Sequence, residues 1–188
     1  MGDRFKICPP YLIGVGMGYR ILDHTADIGV EVHGATLADL FAQAALALFD
    51  LLTDRAMLTV ATEKVIRIEG TDMTDLWINY LREVLYLFNG ENFLLKDILE
   101  INFNAPTNIQ YSSTPAQTET YNLPNLKEIS NNKSEGKAAE RSLEASLRGE
   151  PYHPQRHTIK TEIKAVTYHH AEVKQTPEGW QGVFIVDV

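Results

Sequence analysis

Two periodicities divide the chain. Over 28–33, Ile28, Val30 and Val32 alternate with Gly29, Glu31 and His33, the period-two pattern of a strand with one buried face. An earlier strand is expected over 19–22, joined to this one by a short polar turn. After Gly34 the period lengthens. Leu37, Leu40, Phe41, Ala44, Leu48 and Leu51 recur at helical spacing, which predicts a helix to about residue 53. Thr36 followed by Asp39 reads as its capping box, with Asp in place of Glu. The remaining face carries Ala42, Ala45 and Ala47 rather than charges, so this helix should be covered on more than one side. A short strand over 65–69 ends at Gly70. Thr71 and Asp72 then open a second helix to about residue 88. Its stripe is Trp77, Tyr80, Leu81, Val84, Leu85 and Phe88, with Gly90 just past its end.

Strand-like alternation returns over 98–103, where Leu99, Ile101 and Phe103 share one face against Glu100 and Asn102. Leu143, Ala145 and Leu147 resume it, and Gly149-Glu150-Pro151 ends that strand. Three more strands are expected over 161–168, 171–175 and 180–188, with Pro177-Glu178-Gly179 as the last hairpin turn. Between them, about 104–141 is rich in Asn, Ser, Thr, Pro and Glu and lacks periodicity. It reads as a low-complexity, mobile insertion. Residues 1–18, with Pro9-Pro10 and three glycines between 14 and 18, read as a flexible leader. A single domain over 19–188 follows. Its strands come in adjacent groups with two helices between them, which predicts an α+β fold with largely antiparallel sheet. No internal repeat is apparent.

Composition narrows the function classes. An apolar share of 44% in 188 residues allows a sizeable core. A net charge of −8 argues against unaided wrapping of nucleic acid and suits a basic partner or a cation. The single cysteine, Cys8, cannot form an intramolecular disulfide and points to a reducing compartment. No stretch reads as a membrane span or secretory signal, so a cytoplasmic protein is expected.

Two places concentrate hard ligands. The turn after the first strand holds Asp23, His24 and Asp27. Asp23 suits a turn former. Asp27 directly precedes an apolar strand, where a carboxylate wants a positive partner or several donors. At the other end, Gly182-Val183-Phe184-Ile185-Val186 is a continuous apolar run, typical of a strand covered on both faces. It ends in Asp187 and the α-carboxylate of Val188. A cation between these charges would relieve their repulsion; the alternative is a solvated, fraying end. Oxygen donors select a hard ion such as Ca²⁺ or Mg²⁺, while His24 could favour a softer one. His169 and His170 are strand neighbours, expected on opposite faces and so unable to share an ion. His153 and His157 flank a proline-containing loop without zinc spacing. Lys164 suits either a solvated face or contact with a partner. There is no phosphate loop, Ser-His-Asp order or Cys-His pair.

The stretches Asp23-His24-Thr25-Ala26-Asp27-Ile28, Thr36-Leu37, Phe49, Gly149-Glu150, His157, Glu162-Ile163-Lys164-Ala165-Val166-Thr167-Tyr168-His169 and Val186-Asp187-Val188 form a specific combination. In these, over about 19–103 and 142–188, the chain resembles the archease family. The resemblance implies a compact two-layer fold and a bound divalent ion, calcium first, with magnesium or manganese as alternatives. Its ligands match Asp27, Asp187 and Val188. Asp23, His24, Lys164 and His169 would surround the ion or face a partner. The resemblance also implies no catalysis by the protein alone. It implies activation of an RtcB-type tRNA-splicing RNA ligase, by promoting its guanylylation and multiple turnover, with RNA met only through the ligase. The competing readings are a chaperone-like module for an RNA-modifying enzyme and a metal-dependent phosphoesterase using the same carboxylates. The 104–141 segment and the leader are longer than the family pattern.

Overall fold

The computed structural model describes residues 18–23, 27–104 and 141–188. The expected leader, His24 and the expected insertion lie outside the described residues, apart from their outermost positions. In chain order the elements are β1 (Gly18–Asp23), β2 (Asp27–Gly34), α1 (Leu37–Leu52), a 3₁₀ turn (Arg55–Met57), β3 (Thr62–Gly70), α2 (Met73–Asn89), β4 (Phe93–Asn104), β5 (Arg141–Pro151), β6 (Ala165–Thr176) and β7 (Gly179–Asp187). The strands form two sheets, ordered β1-β2-β7-β6 and β3-β5-β4, with every pairing antiparallel. Each helix touches both sheets: α1 packs on β2, β7 and β4, and α2 on β6 and β3. This is the α+β architecture expected from the pattern.

Both helices start from the same local device. Thr36 Oγ1 accepts the Asp39 N–H at 3.1 Å, and the Asp39 carboxylate accepts the Thr36 N–H at 3.0 Å, which completes a capping box. At α2, Asp72 accepts the Asp75 N–H at 2.9 Å, and Asp75 accepts the Thr71 N–H at 2.9 Å. A glycine precedes each cap. A Cβ on Gly34 would lie 2.3 Å from the Leu40 nitrogen, and one on Gly70 2.4 Å from the Leu76 nitrogen. The chain therefore folds back tightly onto the first helical turn at both places. This recurrence, Gly34 to Leu40 and Gly70 to Leu76, escapes a search for repeats because only the cap and the glycine are shared.

Between the helices, the Phe41 ring meets Trp77 at 4.8 Å, Tyr80 at 5.2 Å and Phe103 at 5.1 Å. Ala44, Ala45 and Ala47 of α1 are buried and Ala42 is partly buried, so α1 is covered on more than one side, as its composition suggests. The Tyr80 hydroxyl is buried here without a hydrogen-bond partner among the described residues. Burial pushes its ionisation far up.

Bulges account for the two departures from the expected strands. β4 starts at Phe93 rather than 98, because Phe93, Leu94 and Leu95 are all buried and show no alternation. Register shifts between Leu95 and Asp97 and between Ile98 and Glu100 then reset its faces. Leu99 consequently leaves the face of Ile101 and is 47% exposed. The expected strands 161–168 and 171–175 are one strand, β6, which begins only at Ala165 and carries a register shift between Thr167 and Glu172.

Candidate functional site

The two stretches of hard ligands meet. β2 pairs with β7 in a register that sets Asp27 opposite Asp187 and Ile28 opposite Val186. β6 flanks the other side of β7, with Ala165 opposite Asp187. β7 is therefore an interior strand, and Phe184 (0%), Ile185 (1%) and Val186 (0%) are buried on both of its faces, as its unbroken apolar run suggests. Direct cross-strand partners project to the same face with Cβ atoms about 4.5–5.5 Å apart. That face of β2 is opposite the one carrying the fully buried Val30 and Val32. Both aspartates are half-buried. Neither carboxylate takes a hydrogen bond or ion pair from another described residue. Facing like charges are destabilising unless something positive lies between them.

Lys164 belongs to this end of the sheet. It precedes β6 instead of lying within it. Its main-chain N–H donates to the Asp187 carbonyl at 2.9 Å, and its Nζ donates to the main-chain oxygen of Val188 at 2.9 Å. That oxygen is thereby held at the same end of the sheet as the aspartate pair. Asp23 closes β1 opposite Ile28, at the same end of the sheet, while His24 lies outside the described residues. His169 is not brought in. It sits beyond Thr167 on β6, with its main-chain N–H on Thr167 Oγ1 at 3.3 Å.

Among the described residues, no three or more His, Cys, Asp or Glu side chains converge as a metal cage. The Asp27–Asp187 pair with the Val188 oxygen offers an all-oxygen, partly open donor set. Such a set fits a hard divalent cation that completes its shell with water better than it fits zinc.

Two further ionic groups are not apparent from the linear pattern. Glu31, 8% exposed, accepts from Arg20 at 3.0 Å and lies 2.9 Å from His33 Nε2. Burial acts to raise its pKa, but the hydrogen bonds from Arg20 and His33 outweigh it and hold the carboxyl below the usual range. The available signal was the hairpin register, which sets Arg20 opposite Glu31. Glu150, 2% exposed, accepts the Thr59 N–H at 2.6 Å and Arg156 at 3.0 Å. His157 Nδ1 accepts the His153 N–H at 3.0 Å, so the neutral ring carries its proton on Nε2, 3.5 Å from Glu150. The Gly149-Glu150 and His157 matches thus tie the end of β5 to the loop that follows it. No local spacing marks that tie.

The model of the archease protein family (MTH1598/TM1083) matches residues 19–188. The chain is 32% identical over 173 residues to protein archease of Methanosarcina acetivorans, covering 92% of this chain and 97% of that one. It is 31% identical over 172 residues to protein archease of Archaeoglobus fulgidus, covering 92% and 100%. The solution structure of protein 1598 from Methanobacterium thermoautotrophicum has the same fold, with a TM-score of 0.65 at 22% identity over 91% of this chain and 99% of that one. From its family match across nearly all of the described residues, the chain belongs to the archease family.

Proposed function

We propose that the protein is a metal-binding activator of an RtcB-type RNA ligase in tRNA splicing or RNA repair, without catalysis of its own. The observation that carries this reading is the direct opposition of Asp27 and Asp187 across β2 and β7, in a member of the archease family. Asp27, Asp187 and the Val188 oxygen would hold the ion, calcium by preference, with magnesium or manganese as alternatives. Lys164 orients the Val188 oxygen. The bound cation supplies positive charge where two carboxylates face each other, and so fixes the end of the β2–β7 ladder. The net charge of −8 suits a basic partner surface, and RNA is met through the ligase. Among the described residues no helix is long and apolar enough to cross a membrane, and we place the protein with its ligase in the cytoplasm.

The test mixes the full chain with its cognate ligase, RNA ends bearing 2′,3′-cyclic phosphate or 3′-phosphate, GTP and Mn²⁺. Multiple-turnover ligation and guanylylation of the ligase should rise. Asp27→Ala and Asp187→Ala should each abolish the gain with an unchanged circular dichroism spectrum. Wild-type protein that gives no gain overturns the proposal. Turnover of a phosphoester by the protein alone would favour the phosphoesterase reading. Client binding that survives both substitutions would favour the chaperone reading.

A further inference from the structure

β6 carries surplus chain at its middle. Thr167 lies opposite Ile185, and the next paired residue, Glu172, lies opposite Val183. Residues 168–171 therefore bulge out opposite the single residue Phe184. The bulge is pinned on its α2 side. Tyr168 donates to Asp75 and to Asn79, and the Arg82 guanidinium stacks over its ring at 4.6 Å. Arg82 Nε also donates to the Val166 carbonyl at 3.0 Å. Past this anchor the backbone turns sharply. His170 has φ 51°, in the left-handed region that few residues other than glycine adopt.

This turn changes where two neighbouring side chains go. On a regular strand they would point to opposite faces, and the pattern alone therefore excludes a shared ion. In the bulge the His169 and His170 rings approach to 4.0 Å between centroids at 59°. Both residues are exposed. No ring nitrogen of either is hydrogen-bonded to a described residue. Two imidazoles without a hydrogen-bond partner among the described residues, on one anchored projection, make a bidentate nitrogen donor.

We propose that His169 and His170 form a chelating site for a late first-row transition-metal ion of the Ni²⁺, Cu²⁺ or Zn²⁺ class. Imidazole nitrogen suits these ions, and aspartate oxygen suits the hard ion assigned to Asp27 and Asp187. The two sites are thus separate in place and in ligand chemistry. No third His, Cys, Asp or Glu converges on the pair among the described residues, so water completes the shell and the ion stays accessible.

Calorimetric titration of the untagged full chain with Ni²⁺, in excess Ca²⁺, tests the site. Wild type should bind one ion. His169→Ala and His170→Ala should each weaken binding more than about tenfold. The double variant should lose little beyond either single variant, because a chelate needs both rings. Paramagnetic broadening by Ni²⁺ should fall first on these two imidazoles. His33→Ala and Asp187→Ala should leave the titration unchanged, which separates this site from the oxygen site. Binding that survives in the double variant, or losses that simply add between the single variants, overturns the proposal.

Discussion

Glu150 is nearly excluded from water, yet its carboxyl is held charged. Burial works to raise its pKa, and the Thr59 hydrogen bonds followed by the charge of Arg156 bring the net value below the usual 4.5. The unfolded chain therefore takes up the proton first as pH falls. The stabilisation is complete above about pH 4.5 and is lost as pH drops through the lower folded value. Glu150→Gln should cost about 1–3 kcal/mol at neutral pH. It should also flatten the acid limb of stability measured by urea unfolding across a pH series. An acid limb as steep as wild type would show that Glu150 is not the titrating group. At this scale the candidate residues Asp27 and Asp187 were legible in the sequence, since each stands at the end of an apolar strand; their direct opposition comes from the strand register. The Glu150–His157 tie was not legible, because it joins the end of a strand to the loop after it with no local spacing to mark it. The His169–His170 contact was hidden by the assumption of a regular strand.

Among the elements, the helices were the most legible. Their stripes, caps and terminal glycines all act locally, and they agree with the observed α1 and α2 within a residue or two. β4 and β6 were misread because a bulge shifts which face a residue occupies without changing its identity. The glycines before the helices give an element-scale prediction. A Cβ at Gly70 would press on main-chain atoms of Leu76, which cannot rotate away as a side chain can. Gly70→Ala should lower stability by about 1–3 kcal/mol, and Gly34→Ala should do the same at α1. Thermal unfolding of the two variants would check this, and a melting temperature unchanged from wild type would refute the close approach.

For the molecule as a whole, the pattern identified the fold class but not the order of strands. Periodicity says which residues are buried; it does not say that β7 enters between β2 and β6. That order is what brings Asp27 to Asp187. If a cation sits there, it should stabilise the native state by linkage. Calcium at about 100 times its dissociation constant should add about 2.7 kcal/mol. Asp27→Ala should abolish this increment, and calorimetric scans with and without chelator would show it. An equal calcium-dependent shift in wild type and Asp27→Ala would remove the ion from this position.

The interior place of β7 also has a consequence for how the protein is made. Of the seven described strands, the last to leave the ribosome is the one that fills a central slot. Until it arrives, β2 and β6 each present an unsatisfied edge to the crowded cell, and the inward side chains of β2 lack the cover of Phe184 and Val186. The sheet therefore closes after the rest of the domain has been translated. The nascent chain is most in need of protection from sticking to its neighbours just before synthesis of this segment is complete.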